Sequence, residues 1–169
     1  MHPSGPELVE LHGAFVTGDL PRVRSILEPR GGFPNAVPDP SIGVPLVYAV
    51  YHAPLELIAG LLDAGADPDL DDGDGFPPLY AATADERSDR ATIVELLLDA
   101  GADPDRRGLN DETPLHVAAA AGDLTLVELL LRRGADPALA TRIDDMETPA
   151  EAAQRRGHAT IADLLRRHE

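Results

Sequence analysis

The side chains able to do chemistry are unevenly stocked in this chain. Cysteine and lysine are absent, and all 14 basic residues are arginine. Thiolate chemistry, disulfides and Cys-ligated zinc are thereby excluded. None of the serines, Ser4, Ser25, Ser41 and Ser88, stands in a Gly-x-Ser-x-Gly setting. The six histidines, His2, His12, His52, His116, His158 and His168, are scattered. No His-x-x-x-His or His-Glu pair sets two metal ligands on one helix face. Gly31-Gly32 has no following lysine, so no phosphate loop is expected. The acidic run from Asp67 to Gly75 invites a calcium reading. An EF-hand loop needs glycine at its sixth position and a bidentate glutamate at its twelfth. Counted from Asp67, those positions hold Asp72 and Pro78; counted from Asp69, they hold Asp74 and Tyr80. Both registers fail, and a weak divalent-cation site at 67–74 is kept as an alternative. Carboxylate pairs abound, but nothing in the sequence dries one or raises its pKa, so they read as a solvated face. The expectation is a protein with no catalytic residues, no metal and no cofactor: not an enzyme.

The elements that carry these residues belong to one domain. The length is 169 residues, with 43% hydrophobic and 26% charged, a foldable composition. The formal charge of −16 argues against nucleic acid, whose phosphates need cations to neutralise them. No apolar run is long enough for a membrane span. The first residues, Met-His-Pro-Ser-Gly-Pro-Glu, have neither the basic start nor the apolar core of a signal peptide. A cytoplasmic location and a monomeric chain are expected. Residues 39–105 hold fifteen acids against two arginines, a net of −13, whereas residues 106–169 net −2. Partner electrostatics must begin in that middle segment.

A repeat runs through the chain. Gly65-Ala66-Asp67-Pro68 recurs as Gly101-Ala102-Asp103-Pro104 and Gly134-Ala135-Asp136-Pro137, at spacings of 36 and 33 residues. An apolar run ending in paired or triple leucine precedes each copy. A Pro-Leu pair lies upstream: Pro45-Leu46, Pro78-Leu79 and Pro114-Leu115. The middle copy carries three extra residues, most simply within Asp85 to Arg90. Each unit reads as helix, tight turn, helix, extended loop. Thr113-Pro114 starts a helix, Gly122-Asp123 breaks the chain and caps the next, and Gly134 ends it. Neither short helix can bury its apolar face alone; stacked units can, which makes a solenoid.

The period, Thr113-Pro114-Leu115-His116-Val117-Ala118-Ala119, the Gly122-Asp123 turn, Leu129-Leu130-Leu131 and Gly134-Ala135-Asp136 resemble the ankyrin repeat. The likeness is full over about residues 39–137. It is looser at 7–38, with Leu11-His12 and Gly18-Asp19, and at 148–169, with Thr148-Pro149 and Gly157-His158. The resemblance implies an all-α solenoid of about five helix-turn-helix units joined by β-hairpin-like loops. The units are 7–38, 39–71, 72–107, 108–140 and 141–169, in a single domain over 1–169. Polar residues close both ends: Arg22 and Ser25 stand in register with Leu126 and Leu129, and Arg166 with Leu131. Gly60 takes a place held by Leu96 and Leu129, which reads as lost helix propensity and lost packing. Asp111 takes the usual hairpin glycine, a position that Asp or Asn tolerates better than most.

In this family the hairpin tips and first helices form a concave binding surface. The resemblance places Tyr51 and His52 there, then Gly73, Asp74, Phe76, Ala84 and Asp85. Leu109, Asn110, Glu112, Ala120 and Ala121 follow, and Arg155 and Arg156 in the last unit. Tyr51 and Phe76 are expected to anchor a protein partner, with Asp69, Asp71 and Asp74 orienting it. The resemblance therefore implies a protein-protein interaction module. A basic partner is expected from the charge, and the role envisaged is a bacterial regulator or immunity-type inhibitor of an enzyme. An accessory protein that supports a partner enzyme's activity is the alternative.

Overall fold

The computed structural model describes residues 5–37, 41–71, 73, 75–143 and 146–168. Within them the chain forms five pairs of helices and no strand. The pairs are α1 (Gly5–Thr17) with α2 (Leu20–Leu27), α3 (Pro45–His52) with α4 (Leu55–Asp63), α5 (Pro78–Ala84) with α6 (Arg90–Asp99), α7 (Pro114–Ala121) with α8 (Leu124–Arg132), and α9 (Pro149–Arg155) with α10 (Ala159–Arg166). The first helices pack in one row, each touching its counterpart in the next pair. The second helices α2, α4, α6 and α8 pack in a parallel row behind them. The expected stack of five helix pairs is what the chain builds. None of these helices is long and apolar enough to cross a membrane.

Proline explains where the first helices begin. Pro45, Pro78, Pro114 and Pro149 each hold the first helical position, where a missing N–H costs nothing. Gly122 turns the chain out of α7 at φ 75°, and the Asp123 carboxylate then accepts the Leu126 N–H at 3.0 Å to start α8. The core lies between the two rows. Leu46, Leu79 and Leu115 enter from the front, and Ile58, Val94, Val127 and Ala162 from behind, all buried. The alanine of each Gly-Ala-Asp, Ala66, Ala102 and Ala135, is buried beneath the loop. At the ends the polar substitutions do face solvent: Arg22 donates to Glu10 at 2.8 Å, and Arg166 pairs with Asp163.

A ladder of side chains links successive loops. The Asp69 carboxylate accepts the Asp103 N–H at 2.9 Å, and Asp105 accepts the Asp136 N–H at 3.0 Å. Asn35 fills the same role one unit earlier, accepting from Asp67 N–H at 2.8 Å and donating to the Gly65 carbonyl. The first loop has lost the repeat signature yet keeps the rung.

The inserted residues in unit three also have a task. Five residues separate α5 from α6, against two between α7 and α8. From this longer loop, Arg87 donates to the Val50 and Ala53 carbonyls at 3.1 and 2.7 Å. It thus caps the end of α3, where Ala53-Pro54 replaces the Gly-Asp turn.

Gly60 requires a correction. The propensity cost stands, but the packing is not lost: a Cβ at Gly60 would lie 2.7 Å from Leu20 Cδ2. Leu20 of unit one fills the socket that Leu96 and Leu129 fill in their own units. Gly60→Leu is therefore expected to destabilise by about 1 kcal/mol net, overpacking outweighing the propensity gained. Adding Leu20→Ala should recover that loss in urea unfolding. Stabilisation by Gly60→Leu alone would show that the socket is empty.

Candidate partner-binding face

The first helices present two consecutive outward positions at their C-terminal ends. In chain order these are Val16-Thr17, Tyr51-His52, Ala84-Asp85, Ala120-Ala121 and Arg155-Arg156. Val16 is 50% and Tyr51 37% exposed, high values for large apolar groups. His52, Ala84, Ala121, Arg155 and Arg156 are exposed; Asp85 and Ala120 are half-buried.

Tyr51 and His52 sit beside a ring cluster that the repeat pattern leaves unread. His12 Nδ1 lies 2.7 Å from the Tyr48 hydroxyl. The Tyr48 ring is 4.5 Å from His52 and 5.0 Å from Phe15, and His12 is 5.7 Å from His52. Burial, then His12, lowers the His52 pKa, with Asp85 opposing. Burial, then Asp85, raises the Tyr51 phenol. His12 stands in register with His116, which was the available sequence signal; nothing in the pattern announced Tyr48.

The hairpins behave less uniformly. Phe76 is half-buried, packed on the core and edge-on to Tyr80 at 5.9 Å. Tyr80 is buried and donates to Glu112 at 3.1 Å, and burial together with Glu112 raises its pKa. Leu109 and Asn110 are exposed at the next tip, whereas Glu112 is half-buried. Asp69 and Asp71 are half-exposed, and both carboxylates are engaged: Asp69 forms the ladder rung, and Asp71 accepts the Gly73 N–H at 3.0 Å. Asp74 lies outside the described residues. Among the described residues, no three His, Asp or Glu side chains gather where an ion could be held.

Asp111 occupies the glycine position at φ 63°, beside Asn110 at φ 56°. Its carboxylate accepts from Arg107 at 2.8 Å and from the Arg142 N–H of the following hairpin at 2.6 Å. Hydrogen bonding from Arg142 is the main cause that holds its pKa down to about 2. Two backbone bonds close the hairpins, Gly108 N–H to Glu112 and Thr141 N–H to Glu147.

Five helix pairs in two rows, joined by hairpin loops, are what the repeat pattern requires. A family model describing ankyrin repeats in three copies matches residues 46–141 and 86–169. The chain belongs to the ankyrin repeat family. No curated protein matches it. Ankyrin repeats are generic protein-protein interaction modules, and proteins built from them are typically non-enzymatic.

Within this ankyrin stack His116 shows why the family favours histidine there. The residue is buried; its Nδ1 accepts the Thr113 N–H at 3.1 Å, and Nε2 lies 2.9 Å from the Glu147 carbonyl. An acceptor at Nδ1 puts the proton on Nε2, so one neutral ring joins two units. Burial lowers its pKa from 6.5. A depressed imidazole contributes stability that is present above the unfolded value and lost as pH falls below it. The unfolding midpoint should therefore drop between about pH 7.5 and about pH 5.5. His116→Gln should lower the midpoint overall and flatten this limb. An equally steep limb in His116→Gln would assign the effect elsewhere.

Proposed function

We propose that this ankyrin repeat protein binds a basic protein partner through the concave face of units two to four. The observation that carries this is the coincidence of an exposed Tyr51 with the segment of net charge −13. Tyr51 and Phe76 anchor the contact, while His52, Leu109, Asn110 and Glu112 flank it. Asp69, Asp71 and Asp74 supply the field that orients the partner. Aromatic anchors ringed by charge are the usual layout of an energetic hot spot. The role is that of a regulator or immunity-type inhibitor that masks a partner enzyme. A chain whose inner face is its chief asset acts by covering another surface.

The test is capture from the native host on immobilised protein, followed by stopped-flow association with the captured partner. Opposite charges steer encounter, so the association rate should fall steeply between low and physiological salt. Purified partner activity should fall on addition of the chain. A rate indifferent to salt would remove the basic partner, and activity that rises would replace the inhibitor by an accessory role.

A further inference from the structure

The inner face changes character at unit five. The outward positions of the first helices run from Tyr51 and His52, through Ala84 and half-buried Asp85, then Ala120 and Ala121, to Arg155 and Arg156. Alanine, with one acidic residue beside it, thus floors the row between an aromatic end and an arginine end. Beside the arginine end an open cleft is lined by Asn110, Glu112, Ile143, Arg155 and Arg156, among others. Ile143 in its wall is 47% exposed, and Leu109, the chain neighbour of the lining residue Asn110, is 44% exposed. Clustered exposed apolar groups with a polar rim mark contact surfaces.

The charges around this cleft are mostly spoken for. Arg155 is held by Glu147 through two hydrogen bonds of 2.8 and 2.5 Å. Arg142 and Arg107 are held by Asp111. Glu112 receives the Tyr80 hydroxyl. Arg156 is exposed and has no carboxylate partner among the described residues. Asp144 and Asp145 lie outside the described residues, and the site is built without them.

We propose that this arginine end is a second docking point, taking an acidic side chain followed by an apolar one from the same partner segment whose basic residues sit on units two to four. The inference rests on the partner reading above and adds an order of charge to it. Arg156 offers the planar donor fork that suits a carboxylate. Ile143 and Leu109 offer apolar cover for the neighbouring side chain, and the alanine floor lets a backbone come close. A uniformly basic segment would meet Arg156 with like charge. A segment basic at one end and acidic at the other fits throughout, and this fixes its direction on the stack.

Three short synthetic peptides test this against the isotope-labelled full chain by amide NMR and fluorescence anisotropy. One is arginine-alanine, one glutamate-leucine, and one joins the two. The glutamate-leucine peptide should shift amides in 109–112, 141–143 and 146–156 and bind about fivefold more weakly to Arg156→Ala, the size of one exposed charge pair. The joined peptide should bind at least about tenfold more tightly than either half. The melting of Arg156→Ala should match that of the parent. No shifts at unit five, indifference to Arg156→Ala, or a joined peptide no tighter than its better half would each overturn the second docking point. A failure of the basic-partner reading looks different: the arginine-alanine peptide would leave units two to four undisturbed.

Discussion

Replacing Gly108 by alanine is expected to cost about 3 kcal/mol of stability, although Gly108 belongs to no repeat signature. A Cβ there would stand 2.5 Å from Cγ and Cδ2 of Tyr80 and 2.9 Å from the Gly75 carbonyl oxygen. The ring has little room to yield. Tyr80 is buried, its ring packs in a T-shaped contact with Phe76, and its hydroxyl is tied to Glu112. Moving it would break that bond and open the junction between units three and four. For a chain of this length the loss corresponds to a Tm lower by about 8 °C. Tyr80 takes the position that His116 holds in the next unit, so Gly108→Ala with Tyr80→His should regain much of the loss. A midpoint unchanged in Gly108→Ala would mean that the two loops separate freely, and the tight junction would be abandoned.

The largest effect on binding is expected from Tyr51. Tyr51→Ala should weaken the captured partner by about 2 kcal/mol, roughly thirtyfold, chiefly through faster dissociation. Its ring is more than a third exposed, and truncation should leave the melting temperature nearly unchanged. Phe76→Ala should behave differently. That ring rests on the core and on Tyr80, so its removal should lower stability by about 2 kcal/mol as well as binding. The comparison separates an exposed anchor from one that also packs on the core, because only Tyr51→Ala loses affinity without losing stability. Normal binding by Tyr51→Ala would move the interface away from units two and three.

Replacing Asp69, Asp71 and Asp74 together by asparagine should mainly slow association, because it removes the steering charge. Asparagine at position 69 keeps an oxygen for the Asp103 N–H, as Asn35 does for Asp67. The asparagine variants therefore report on charge. Alanine at position 69 would instead remove a rung between units and mix stability into the result.

The repeat, the five units and the places where helices start and stop are legible in residue types and their spacing. These follow from local chemistry: proline at a first turn, glycine beyond a last one, aspartate as a cap, and leucine at helical spacing. Such signals act within a few residues and need no knowledge of neighbours. The polar ends were legible for the same reason, because a register compares like positions without coordinates. Which side chains cross from one unit to the next is set by how the units stack. Gly60 reads as a gap in its own helix, but the side chain that fills it comes from Leu20, forty residues earlier. His12, Tyr48 and His52 meet only because α1 and α3 lie side by side. Asp69 looks like a free acid in an acidic loop and becomes a strut once the next loop offers it an N–H. Arg87 looks like part of an insertion and proves to be the cap of the preceding unit's helix. In a solenoid each unit's pattern is written locally, whereas the fit between units depends on stacking distances and angles that no single unit contains.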